Sequence, residues 1–396
     1  MSATAADEIT VDQLWDDPFP IYAEFREHRP VCFVPAVGLW FVTRWADVER
    51  AAARPDRFPA AVRDSPLDRT LGGTNVLTVD GEEHKGRRAP MYAALRPRAL
   101  DDAEVIVQNV CRELLAAFED RGAAELMGEY FEPMSVLSVA RVIGLGEDLD
   151  APTLQRWFHG LAAGTSNFEG DPAKQRLADD TGEEVSRTLR PRLEYLLREP
   201  DGSMVSEMLL AADGDVDERL AWVLPTLKLA LIGGLQEPGH GAGSTVCGLL
   251  GVPEQAAALA ADVDGLIGAA VDEGLRWLSP IGTQTRVAGR GAELSGVPIP
   301  TGENVGLMVQ SANRDREVFG PTADDYDLFR PRQPNAAFGF GPHFCVGNQL
   351  ARTQLRVSVG KLFQRLPGLR LDRDRPPVIR GWEYRGPVHL HVRWDA

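Results

Sequence analysis

A chain of 396 residues, 44% of them hydrophobic, can bury a large core, and length alone allows two or three domains. A net charge of -16 excludes nucleic acid as the main partner, because phosphate binding needs clustered Lys and Arg. Four widely spaced cysteines, Cys32, Cys111, Cys247 and Cys345, exclude a disulfide framework and point to a reducing compartment.

Met1 to Thr10 is polar and acidic and lacks the basic and apolar regions of a signal peptide. No apolar run approaches a membrane span, so a cytoplasmic protein without membrane attachment is expected. Asp17 to Pro30 has apolar residues at helical spacing. Val31 to Trp45, rich in Val, Phe and Trp around a central Gly, predicts two short strands joined by a turn. Ala46 to Ala53 predicts a helix. Arg57 to Asp80 is irregular, and a loop of that length is usually functional. From Glu82 to about Ile267 the pattern is mostly helical, with a break at Thr165 to Pro172. A short helix is expected over Val271 to Leu278, ended by Ser279-Pro280. Strand-like runs follow at Gln284 to Ala288 and Val305 to Gln310, then a Pro- and Asp-rich meander over Pro321 to Pro334. A last long helix is expected over Cys345 to Leu366, and a C-terminal strand pair near Val388 to Trp394. With no repeats and no low-complexity linker, the expectation is one helix-dominated domain over residues 1–396 with a minor β portion.

The strongest chemical signal is FGFGPHFCVG, Phe338 to Gly347. Three glycines around one Cys imply a tight backbone path that something approaches closely. A Cys at the start of a helix faces free N–H groups that stabilise a thiolate. With no Cys or His at metal-cluster spacing, Cys345 suits a single-point ligand, and haem iron is the obvious candidate, since a proximal thiolate favours O–O cleavage. The other three cysteines read as buried structural residues.

This loop resembles the haem-binding signature of the cytochromes P-450, FGxGxHxCxG. Further pieces match in order over nearly the whole chain. Glu273-Gly274-Leu275-Arg276 is similar to the family's ExxR, and His84 to Arg88 (HKGRR) to its HxxxR. The resemblance implies a mainly α cytochrome P-450 fold with a minor β portion, and haem b held between a long distal helix and the Cys-loop helix. It implies Cys345 as the iron ligand, with Phe338 and Gly347 in the loop. Haem carries two propionates, and His84, Arg88, Arg286 and His343 are the expected donors. Glu273 and Arg276, three apart on one helix face, can pair, and Arg330 is the candidate third member that makes burial tolerable. Taken alone, Glu273 and Arg276 also read as a surface ion pair, and His84 and Arg88 read more readily as a solvated helix face; it is the cysteine loop that raises them.

Gly233 to His240 (GGLQEPGH) lies inside a long apolar helix, where Gly and Pro are the two worst residues. In the family this helix carries glycines, then an acid and an alcohol that deliver protons. Here Gly233 and Gly234 match, but Gln236 stands at the acid, Glu237 at the alcohol, and Pro238 follows. Pro238 cannot donate to the Gly234 carbonyl, so a kink is expected there, with Gln236 holding Glu237 or a water. A buried Glu237 would have a raised pKa suited to proton transfer, including transfer to and from hydrogen peroxide. The plainer reading is a kinked core helix with Glu237 on an exposed face.

Amide–acid pairs in this helix resemble those of bacterial O-demethylases that act on methoxyphenols such as guaiacol and syringol. The fatty-acid peroxygenases also break this helix with Pro but place an Arg before it. An acid in that place disfavours an anionic substrate close to the iron. By family position, Leu77, Phe158, Phe168, Leu235, Ile281 and Thr283 are candidate contacts to a small aromatic substrate, each also readable as core. The reading is a monomeric haem-thiolate monooxygenase using dioxygen with a ferredoxin or flavodoxin-type reductase system, or hydrogen peroxide. Arg87, Arg88, Arg98, Arg352 and Arg356 would form the basic docking face. A secondary-metabolite hydroxylase is the alternative, and a non-catalytic haem sensor, for which no read-out module is visible, the remote one.

Overall fold

The computed structural model describes residues 6–60 and 66–395. Of the sequence expectations, the first five residues of the N-terminal segment and residues 61–65 of the Arg57 to Asp80 loop lie outside the described residues. The remainder of that loop is not wholly irregular, since Pro66–Leu71 is a short helix.

Two packed helix groups make most of the structure. In the first, Val216–Leu235 packs against Glu132–Ile143, Ala151–Thr165 and Pro172–Arg198, burying Leu227, Leu231 and Leu235 with Val139, Trp157, Phe158 and Leu161. In the second, Glu237–Gly251 and Val263–Trp277 pack against each other and against Asn348–Arg365, which in turn packs against Pro97–Ala116, burying Val246, Leu275, Leu355, Val359 and Val107. Close approach in this group needs Gly248, where a Cβ would sit 2.3 Å from the Tyr326 ring. Local chemistry sets the helix ends. Asp215 and Glu218 form a reciprocal capping box at the start of Val216–Leu235, and Gly144, at φ 98°, ends Glu132–Ile143.

The β portion is small. A four-stranded sheet has the order Val31–Val34, Leu39–Val42, Asn304–Leu307, Gln284–Val287. Its first pair is antiparallel with Val34 opposite Leu39, its middle pair is parallel with Trp40 opposite Val305, and its last is antiparallel with Arg286 opposite Val305. The expected C-terminal strand pair is wrong. Gly386–His389 pairs with Val378–Arg380, whereas His391–Arg393 lies between Ala123–Glu125 and Arg370–Leu371. Two further expectations change. The short helix at Val271 is the end of a longer one, Val263–Trp277, and the run after Leu307 turns into a helical turn, Val309–Ala312. Among the described residues no helix is long and apolar enough to cross a membrane.

Candidate functional site

The long apolar helix is interrupted where the sequence puts Gln236. Val216–Leu235 ends there, Gln236 takes φ −119° and ψ −28°, and Glu237–Gly251 begins at once. Pro238 therefore stands in the first turn of a new helix, where its missing N–H costs least. The Gly234 carbonyl that Pro238 cannot serve accepts a hydrogen bond from Ser135 Oγ at 3.3 Å instead. Helical bonding resumes as His240 N donates to Gln236 O at 2.9 Å. Gly234 faces Val139, but a Cβ built on Gly233 would meet nothing within 4 Å. Gly233 is exposed on a helix whose neighbours Leu231, Ile232 and Leu235 are buried, and its flank is open.

Gln236 and Glu237 do not hold each other. The Gln236 amide donates to Glu132 Oε1 at 2.8 Å and meets His240 Nε2 at 3.0 Å, while Gln155 Nε2 donates to Glu132 Oε2 at 3.1 Å. The expectation that Gln236 holds Glu237 is thus corrected, because a neighbouring helix offers its amide the Glu132 carboxyl instead. Glu237 is 7% exposed, so the exposed-face reading fails, and both carboxyl oxygens are buried without a hydrogen-bond partner among the described residues. Burial raises its pKa to about 8. Burial also lowers His240 to about 4, and raises Glu132. Phe158 presents ring edges to His240 and Tyr384, at 6.4 and 6.0 Å between centroids. Tyr384 shares a 2.9 Å hydrogen bond with Thr165 Oγ1, and its phenol is raised by burial first, with Glu237 and Glu383 adding to it.

On the other side lies the cysteine loop. The helix starts at Asn348, not at Cys345, with Gly347 as its N-cap. Cys345 precedes that helix by three residues, and the Gly347 N–H still reaches its sulfur. Cys345 N donates to Phe338 O at 2.9 Å, and Asn348 Nδ2 to Cys345 O at 2.8 Å, so the loop is tied at both ends. The Cys345 side chain keeps partial access. Burial raises its thiol pKa, opposed by the Gly347 N–H and by Arg88.

His84, His343, Arg286 and Asp80 cluster beside this loop. The His84 and His343 rings are 4.2 Å apart, and His343 Nε2 lies 3.0 Å from Asp80 Oδ1. Arg286 is buried, with Nη1 donating to Thr285 O at 2.7 Å. Burial lowers Arg286 to about 10 and His343 to about 4, and lowers His84. Arg286 Nη2, His84 Nε2 and His343 Nδ1 are buried with no partner among the described residues. Such donors call for an anion, and two carboxylates would satisfy them. Arg88 instead donates to the Phe344 carbonyl and, at 2.8 Å, to Tyr92. These orphaned donors, the sulfur on a Gly N–H and the open flank of Gly233 all fit a thiolate-ligated haem.

The Glu273 constellation is closed. Arg276 pairs with Glu273 through two 2.7 Å bonds, and Arg330 Nε reaches Glu273 Oε1 at 3.2 Å. The remaining Arg276 donors bind the carbonyls of Asn313, Ala323 and Asp325. The substrate candidates divide. Phe158 and Leu235 share one core group, and Ile281 bridges to Tyr384. Thr283 is spent on Leu307 O and Met308, Phe168 packs on Trp382, and Leu77 is 38% exposed. Glu132, Thr165 and Tyr384 had no local signal, since each reaches the site only through tertiary packing; His240, inside the GGLQEPGH stretch and four residues after Gln236, was in view but was given no role.

The family model described as Cytochrome P-450 matches residues 266–381. The vitamin D(3) 25-hydroxylase of Pseudonocardia autotrophica is 31% identical, over 90% of this chain and 88% of that protein. The steroid C26-monooxygenase of Mycolicibacterium smegmatis is 31% identical, over 94% and 91%. Among solved structures, CalO2 has a TM-score of 0.85 at 26% identity, covering 100% of this chain and 99% of that one. The chain belongs to the cytochrome P-450 family, a family of haem enzymes, and is a monooxygenase, hence an oxidoreductase.

Proposed function

We propose that the chain, acting as one haem b domain and as a monomer, oxidises a small aromatic substrate, with oxidative O-demethylation of methoxyphenols of the guaiacol and syringol type as the favoured reaction. The observation that carries this reading is the amide–acid pair Gln236-Glu237 at the helix break, beside the open flank of Gly233 and the ring edges of Phe158 and Tyr384. Cys345 would ligate the iron, and His84, Arg286 and His343 would take the propionates. Arg88 would hold the Phe344 carbonyl and so brace the loop. When bound, haem supplies a thiolate-ligated iron that activates dioxygen or peroxide.

The chain's own residues then have defined work. Gly233 leaves room beside the helix, Glu237 holds or releases a proton, and Pro238 keeps the helix open. Electrons come from a ferredoxin or flavodoxin-type partner, with hydrogen peroxide as the shortcut. A second reading, a secondary-metabolite hydroxylase, is favoured by the names of the relatives. A panel of methoxyphenols separates the two. Guaiacol and syringol should shift the Soret band from low to high spin and release formaldehyde stoichiometrically on turnover. Ring or side-chain hydroxylation without formaldehyde supports the hydroxylase.

A further inference from the structure

The third glycine of the GGLQEPGH stretch has its own reason. A Cβ on Gly239 would lie 2.8 Å from the Phe131 carbonyl oxygen and 3.4 Å from the Glu132 N, so the second half of the broken helix comes hard against the start of Glu132–Ile143. Two side chains of that start hold the break. Ser135 Oγ serves the Gly234 carbonyl at 3.3 Å, and Glu132 Oε1 accepts from Gln236 Nε2 at 2.8 Å. Glu132 Oε2 accepts from Gln155 Nε2 at 3.1 Å, so both of its oxygens are acceptors.

A carboxylate can only accept, so the end of the Gln236 amide that faces it is the NH2 group. The remaining N–H of that group meets His240 Nε2 at 3.0 Å. His240 is neutral at working pH, since burial lowers it to about 4. Its Nε2 therefore carries the lone pair, and its proton sits on Nδ1. This leaves Gln236 Oε1 and His240 Nδ1 as the loose ends, and both are indeed buried without a partner among the described residues. Both amide hydrogens of Gln236 are spent, and none is left for Glu237, the next residue along the chain. We propose that Glu132 is a positioning residue for the helix break: it fixes the orientation of the Gln236 amide, through it the Nδ1–H form of His240, and so withholds Gln236 as a donor to the Glu237 carboxyl. The effect on turnover rests on the reading of Glu237 as the proton carrier, while the orientation stands without it. The other titratable groups acting on this network are Glu125 and His389 on Glu132, His159 on His240, and Tyr384 beside Glu237.

Histidine labelled with the heavy nitrogen isotope reads the tautomer in the reduced, carbon-monoxide-bound holoenzyme, which is diamagnetic. Protonated and unprotonated ring nitrogens resonate far apart, and His240→Asn assigns the signal by its loss. The wild type should show His240 protonated on Nδ1 alone. Glu132→Met fills similar space but cannot accept, so the single form should give way to a mixture. In that variant the inflection of peroxide-driven turnover near pH 8 should also move down by roughly one pH unit or more, because a freed amide N–H stabilises the Glu237 carboxylate. Glu132→Gln still accepts through its own oxygen once Gln155 turns its amide over, and should follow the wild type on both readouts. A His240 protonated on Nε2 in the wild type overturns the proposal. So does a Met variant with an unchanged tautomer or an unmoved inflection, or a Gln variant that behaves like the Met one. Should the Met variant load no haem, Gln236→Met, which breaks the same chain one link on, is read for the same loss of the single His240 form. If Glu237→Gln leaves the inflection in place, the proton-carrier reading fails, and the role of Glu132 is judged on the tautomer alone.

Discussion

A carboxyl group with neither oxygen hydrogen-bonded is costly to bury, and Glu237 is such a group. With a pKa of about 8 it is mainly protonated at neutral pH. The folded state holds a proton that the unfolded chain, near the usual 4.5, has released. Stability should therefore fall as pH rises from about 4.5 to about 8. Glu237→Gln removes this slope, so its melting temperature should exceed that of the wild type by a margin that grows from pH 5 to pH 8. The same proton sets a kinetic expectation. Accepting a proton from peroxide needs the carboxylate, so peroxide-driven turnover should climb as pH passes about 8. Glu237→Gln should lose that inflection and about 100-fold to 10,000-fold in rate, the range for one proton-transfer group, while haem content and substrate affinity hold. A variant with full peroxide-driven activity and an unchanged pH profile would remove Glu237 from proton transfer.

Between elements, the Glu273–Arg276–Arg330 triad joins the Val263–Trp277 helix to the meander, with Asp327 N also donating to Glu273 Oε1 at 2.8 Å. Glu273→Gln leaves Arg276 nearly fully buried and Arg330 largely so, neither with a counter-charge. A loss of about 3–5 kcal/mol is expected, read as a lower melting temperature and haem loss during gel filtration. An unchanged melting temperature would show that the backbone carbonyls around Arg276 suffice. The Glu273–Arg276 pair, the cysteine loop and the helix break were legible in the sequence because each is written in a few contiguous residues, whereas Arg330, 57 residues from Glu273, was expected only from the family resemblance. Pro238 forbids one hydrogen bond wherever its helix goes, and glycines around Cys345 force a tight path in any fold. The partner of Gln236 was not legible, since Glu132 lies 104 residues away and only the packing of two helices brings it within 2.8 Å. Tyr384 was missed for the same reason, since a Tyr between two strands carries no sign of burial in its own sequence. The start of the last helix was misplaced because Cys345 and Gly347 both resemble a helix opening, and the N-cap position decides between them.

For the whole molecule, a net charge of -16 repels an acidic electron carrier unless one face is locally basic. The structure thins the face expected from the sequence. Arg87 is buried, stacked 4.8 Å over Trp222 and paired with Glu83. Arg352 is paired with Asp272, and Arg88 is bound to the cysteine loop. Arg98 and Arg356 remain exposed without an acidic partner among the described residues. Arg356 stands on the Asn348–Arg365 helix that follows Cys345. Exposed charges steer a partner only within about a Debye length, ~10 Å at 0.1 M salt. Arg356→Glu should therefore slow reduction by a reduced ferredoxin roughly tenfold or more at low ionic strength, and the deficit should shrink as salt is added. Arg98→Glu, two residues into the Pro97–Ala116 helix, should act in the same direction and add to it if both charges face one partner. Stopped-flow reduction across a salt series measures both. A rate independent of salt in the wild type would mean that the carrier docks without these arginines, through the apolar rim that Phe344 exposes beside the loop.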